Sequence, residues 1–106
     1  MKIAVIITQN NPEQVFTALR FANFAHKEGD EVSVFLTADG VEMESLANGS
    51  FDIQGQASSF VKAGGTIQDC GTYLKSRDVQ GTETCPSSTM QVMYTLVKES
   101  DKVVTF

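Results

Sequence analysis

The sequence has no tryptophan, only two prolines, two cysteines and a single histidine among its 106 residues. Two cysteines, Cys70 and Cys85, are too few for a disulfide scaffold, and a chain of this length does not need one to fold. Both are expected as reduced thiols. His26 lies far along the chain from either cysteine, so no zinc-binding spacing is visible; such sites want three or four His, Cys or carboxylate ligands at short spacings. No metal and no cofactor are therefore expected. Basic side chains are also scarce, eight against thirteen acidic ones for a net charge of -5. Binding to a phosphate backbone needs clustered Lys and Arg, which excludes direct contact with nucleic acid. Long apolar runs are missing as well: Ile3 to Ile7 falls far short of the roughly 20 residues of a membrane span. That run is followed by Gln9, Asn10 and Asn11 and not by a small-residue cleavage site, so it is not read as a secretory signal. A cytoplasmic protein without membrane attachment is expected. The glycine-rich phosphate motifs G-x-G-x-x-G and G-x-x-x-x-G-K-[ST] are absent too.

What remains is an ordinary globular composition, 42% hydrophobic and 20% charged, in a chain of 11.5 kDa. It fits one domain spanning residues 1–106. Strand-like and helix-like stretches alternate. Lys2 to Thr8 is a β-branched apolar run of the kind buried on both faces of a parallel sheet. Asn11, Pro12 and Gln14 then have the order of an N-cap, a first-turn proline and a capping box, predicting a helix to about Glu28 that Gly29 ends. Glu31 to Thr37 reads as a second strand. Asp39 and Glu42 are spaced as another capping box for a short helix over Val41 to Ala47, closed by Asn48 and Gly49. Ile53, Ala57, Phe60 and Val61 fall at helical spacing up to Gly64 and Gly65. Thr66 to Asp69 is a short strand ending at Cys70, and Gly71 to Arg77 makes one or two helical turns. Val79 to Cys85 reads as a loop or short strand. Ser87 or Ser88 can cap a last helix to about Glu99, in which Met90 and Met93 are read as core residues, and Lys102 to Phe106 is a final strand. This alternation predicts an α/β fold, a mainly parallel sheet of four to five strands between two helical layers.

In such a sheet ligands bind beyond the carboxyl ends of the strands. Those ends carry Thr8, Gln9 and Asn10, then Thr37, Ala38 and Asp39, then Asp69, Cys70 and Gly71. Cys70 is the strong nucleophile of the set, at a strand end and before a helix start that favours thiolate, with Gly71 leaving room beside it. Strand alternation points Asp69 and Cys70 to opposite sides. The competing reading of Cys70 is a small buried hydrophobe, the commoner fate of a free cysteine. His26, near the end of the first helix, reads as a surface residue complementing the helix dipole; with no base near Cys70, the chemistry points to sulfur or redox exchange and away from acyl transfer. Cys85 is a candidate resolving thiol, while Lys75 and Arg77 read as solvated. Phe16, Phe21 and Phe24 lie off the stripe that suits the sheet and point to a subunit contact.

KIAVIIT at the start, VFLTADGV, GGTIQDCGTYLKSRDV and the closing SDKVVTF together resemble the DsrE/DsrF-like sulfur-relay family, with its TusD- and YchN-like members, over nearly the whole chain. The resemblance implies an α/β/α fold and a homo-oligomer, trimer or hexamer. It also implies that Cys70 carries sulfur as a persulfide received from a donor protein and passed to an acceptor, a sulfurtransferase-type role without a cofactor. Asp39 is carried over as a shaper of the pocket, together with Gln9, Asn10 and Gly71 at the rim. Two other readings stand beside this one: an oligomeric binding or regulatory module in which Cys70 is packing, and a redox sensor using a Cys70–Cys85 disulfide.

Overall fold

The computed structural model describes residues 1–46 and 49–106. Five strands form one sheet: β1 (Lys2–Ile7), β2 (Glu31–Leu36), β3 (Thr66–Cys70), β4 (Ser87–Ser88) and β5 (Lys102–Thr105). They lie in the order β4-β3-β2-β1-β5 and every adjacent pair is parallel. The fold is α/β, as the alternating pattern predicts. Four helices connect the strands: α1 (Pro12–Lys27), α2 (Ile53–Lys62), α3 (Gly71–Ser76) and α4 (Met90–Glu99). β1 to β2 and β2 to β3 step in the same direction across the sheet, so right-handed crossovers put α1 and α2 side by side on one face. β4 to β5 steps back across the whole sheet, and the same handedness carries α4 to the other face.

The sequence explains this placement. β1 is buried from Ile3 to Ile7, which only a central strand covered on both faces can be. At α1 the Asn11 side chain accepts from the Gln14 amide at 3.2 Å, Pro12 opens the first turn, and Gly29 leaves the helix at φ 100°. Val15, Ala18, Leu19, Ala22 and Ala25 are its buried stripe. α2 is capped by Asp52, which accepts from the Gly55 amide at 2.9 Å.

Four sequence readings are corrected. Ala38–Ser45 is a 3-10 helix, and its N-cap Thr37 makes no side-chain capping bond; Asp39 and Glu42 do not cap it because both are drawn to Arg77. The expected end of this helix at Ala47 and Asn48 lies outside the described residues. Ser87 and Ser88 pair with β3 as an edge strand, so Thr89 takes over as N-cap of α4, accepting from the Val92 amide at 3.3 Å. Met90 is 63% exposed and is not a core residue, whereas Met93 packs partly buried against the core. Phe16 is half-buried against Phe51, with ring centroids 5.3 Å apart, so neighbouring chain covers it; Phe21 and Phe24 remain exposed. No helix among the described residues is long and apolar enough to cross a membrane.

Candidate functional site at the carboxyl rim of the sheet

Cys70 is the last residue of β3 and the N-cap residue of α3. Its neighbours in the chain open onto two different hollows. Gly71 lines a cavity of about 410 Å³ with Leu74, Lys75, Gly81 and Ser87. Asp69 lines another of about 230 Å³ with Glu44, Leu74, Arg77 and Thr82. Cys70 sits between the two cavities in the chain, but its own side chain is only 2% exposed and belongs to the hydrophobic core. The strand beyond it is β4, two residues long, in which Ser88 faces Cys70 in register. A Cβ at Gly71 would come within 2.9 Å of Ser87 Oγ and 3.0 Å of the Ser88 carbonyl oxygen. Glycine here lets the edge strand close over the start of α3.

The other rim residues meet through one arginine. Arg77 Nη2 donates to Asp39 Oδ1 at 2.6 Å and Arg77 Nε donates to Glu42 Oε2 at 2.8 Å. Asn10 Nδ2 donates to Glu42 Oε1 at 3.2 Å. The loops after β1 and β2 are thus tied to the end of α3. Arg77 hydrogen bonding, with a second bond from Asn10, holds the Glu42 carboxyl below its ordinary range, and the two carboxylates raise the Arg77 guanidinium. Arg77 is therefore not the solvated cation expected from sequence, whereas Lys75 is exposed. Gln9 is half-buried after β1. Gly40 packs against the end of β1, where a Cβ would collide with the Ile7 carbonyl oxygen.

His26 is not a plain surface residue. Its Nε2 lies 2.8 Å from the Ala63 carbonyl oxygen and its ring meets Phe60 edge-on, which ties α1 to the end of α2 on the helical face.

Below the arginine lies a second group that sequence reading did not bring together. Glu44, Asp69 and Cys85 have ligand atoms all within 4.8 Å of one another. Asp69 is 2% exposed and Cys85 is fully buried, and Asp69 Oδ1 has no hydrogen-bond partner among the described residues. Burial, reinforced by the charge on Glu44, pushes the Asp69 carboxyl up to about 7. Burial pushes the Cys85 thiol up, with Glu44 and Asp69 adding to it. A thiol kept protonated is a poor nucleophile, so in this conformation Cys85 is badly suited to the resolving role. Both cysteines are free.

Residues 1–106 match the sequence profile of the DsrE/DsrF-like family. The chain belongs to that family. Among its relatives in it, the uncharacterized protein MJ0989 of Methanocaldococcus jannaschii is 32% identical over the full length of both chains. The uncharacterized protein MK0008 of Methanopyrus kandleri is 31% identical over 98% of this chain and 93% of its own. The crystal structure of the ychN protein from E. coli superposes with a TM-score of 0.84 over both whole chains at 20% identity. At that identity the likeness concerns the fold. Within this DsrE/DsrF-like chain, the strand-ending cysteine and the rim loops were legible from local pattern. The Glu44–Asp69–Cys85 group was not, because its members come from three segments with no common motif; the one available signal was an acidic residue next to Cys70 at the end of a buried strand.

Proposed function

We propose that this DsrE/DsrF-like protein is a sulfur carrier in which Cys70 holds one sulfane sulfur as a persulfide. The observation that carries the reading is the position of Cys70 at the carboxyl end of β3, between residues that line two cavities and beneath an edge strand of two residues. The Cys70 thiolate attacks the outer sulfur of a donor protein's persulfide. A new S–S bond forms, the donor's S–S bond breaks, and the donor leaves as a thiolate. An acceptor thiolate then attacks the outer sulfur on Cys70 and regenerates the Cys70 thiolate. The sulfane sulfur moves without net oxidation or reduction, so no cofactor is needed. Because Cys70 is closed over, loading requires the segment around Ser87 and Ser88 to part from Gly71. Asn10, Asp39, Glu42 and Arg77 act as the frame that holds the rim loops while that happens; Gln9 and Gly71 border the opening.

The partners are a sulfur donor and a sulfur acceptor, and the protein works as a homo-oligomer, trimer or hexamer, in the reducing cytoplasm. Oligomer formation is supported by the exposed Phe24, Met90 and Tyr94 and by the lack of any buried residue in α4. Incubation with a persulfide donor should add one sulfur to the wild-type mass and none to Cys70→Ser. No gain, or a gain that survives the substitution, contradicts the reading. The burial of Cys70 favours one other reading, an oligomeric binding module in which the thiol is packing. It predicts alkylation of Cys70 only at the rate of global unfolding.

A further inference from the structure

Two carboxyl groups and a thiol meet beside the cavity that Arg77 borders. Glu44 comes from the 3-10 helix, Asp69 from β3 and Cys85 from the loop before β4. Their ligand atoms lie within 4.8 Å of one another. One hydroxyl fixes two of them: Thr82 Oγ1 donates to Glu44 Oε1 at 2.7 Å and accepts from the Cys85 amide at 3.0 Å. The Thr82 amide donates in turn to the Cys85 carbonyl at 3.0 Å, closing the loop on itself. Asp69 is held from behind, its amide donating to the Pro86 carbonyl at 2.9 Å. Its side chain lines the cavity of about 230 Å³, and Oδ1 is buried without a partner among the described residues. A buried carboxylate oxygen without a donor is costly and calls for an explanation. Arg77 does not supply one, since its guanidinium is committed to Asp39 and Glu42.

We propose that Glu44, Asp69 and Cys85 bind one thiophilic divalent cation of the zinc class, with the cavity side left open for a fourth ligand. A thiolate with two carboxylates suits zinc and disfavours magnesium and calcium, which take oxygen donors throughout. Donor atoms around four-coordinate zinc stand roughly 3.3–3.8 Å apart given its bond lengths, so a group whose ligand atoms lie within 4.8 Å must close by at most about 1 to 1.5 Å. The Thr82 hydroxyl is the outer partner that orients a ligating carboxylate. Binding displaces the thiol proton of Cys85, and the proton of Asp69 where it is held, to solvent. The cation reaches Asp69 through the cavity. This site is separate from sulfur carriage on Cys70, and either can stand without the other.

The test uses the full chain carrying Cys70→Ser, stripped with a chelator, so that Cys85 is the one thiol left. Titration with Cd²⁺ should give a thiolate-to-metal charge-transfer band that saturates at one ion per chain, and Zn²⁺ should compete it away. Asp69→Asn and Glu44→Gln should each weaken Zn²⁺ binding by at least about 10- to 100-fold, the loss that removing even a ligand's outer partner causes elsewhere. Circular dichroism checks that these variants are folded. Absence of the band in the folded Cys70→Ser chain overturns the proposal whatever the other variants do. A band that persists after Cys85→Ala is added overturns it as well.

Discussion

Asp69 is where burial and charge conflict most sharply. Its carboxyl is raised to about 7 by burial and then by Glu44, whereas in the unfolded chain it returns to the ordinary carboxylate range. Between those two values the folded protein holds a proton that the unfolded chain has released. Stability therefore falls as pH rises from about 4 to about 7 on account of this group, and levels off above that. Denaturant unfolding of chelator-treated protein across that range should show the fall, and Asp69→Asn should flatten it and leave the variant the more stable of the two at pH 8. A wild-type curve no steeper than that of Asp69→Asn would contradict the assignment. At this scale the sequence was informative where chemistry follows local position. Cys70 could be placed because a strand, a cysteine and a glycine follow one another in the chain. Arg77 was misread because its partners, Asp39 and Glu42, lie 38 and 35 positions away, and no local pattern encodes such a pairing.

The elements were legible where hydrophobic period and capping chemistry agree. In α1 they do: Asn11 caps, Pro12 starts, Gly29 stops, and the buried stripe keeps helical spacing. Asn11→Ala should lower stability by about 1 kcal/mol, measured by thermal or denaturant unfolding. They disagree after β2, where the Asp39/Glu42 spacing imitates a capping box but the chain forms a 3-10 helix. Two facts of tertiary packing decide that segment. Arg77 takes the carboxylates, and Gly40 must lie against the Ile7 carbonyl, where a Cβ has no space. Gly40→Ala should destabilise by about 1–3 kcal/mol, as overpacking does, and should loosen the rim loop; an unchanged unfolding midpoint would show that the approach is not close. β4 was invisible for a different reason. Two serines carry no hydrophobic alternation, and what makes them a strand is an open edge of β3 to pair with.

For the whole molecule, the parallel α/β architecture followed from alternation alone, since short strands separated by helices leave few other arrangements. The exposed apolar surface was only half visible in the sequence. Phe21 and Phe24 do stay exposed, but Phe16 turns in against Phe51. A second apolar surface is on α4, where Met90, Tyr94 and Val97 share one stripe and stay exposed, and the edge strand β5 exposes Val103 as well. Monomers seldom leave such a surface open. Tyr94→Asp, and separately Phe24→Asp, should each reduce the particle mass in light scattering; wild-type protein that already scatters as a single chain would contradict the oligomer.

The central claim concerns one sulfur atom, and the chain offers a direct way to locate its load. Trypsin separates the two cysteines, since Cys70 lies between Lys62 and Lys75 and Cys85 between Arg77 and Lys98. After exposure of the native protein to a persulfide donor and alkylation of the products, mass spectrometry of the peptides reads each thiol on its own. The account predicts one additional sulfur on the peptide Ala63–Lys75, and its loss when an acceptor thiol is added. Additional sulfur confined to Asp78–Lys98, or to neither peptide, would contradict it.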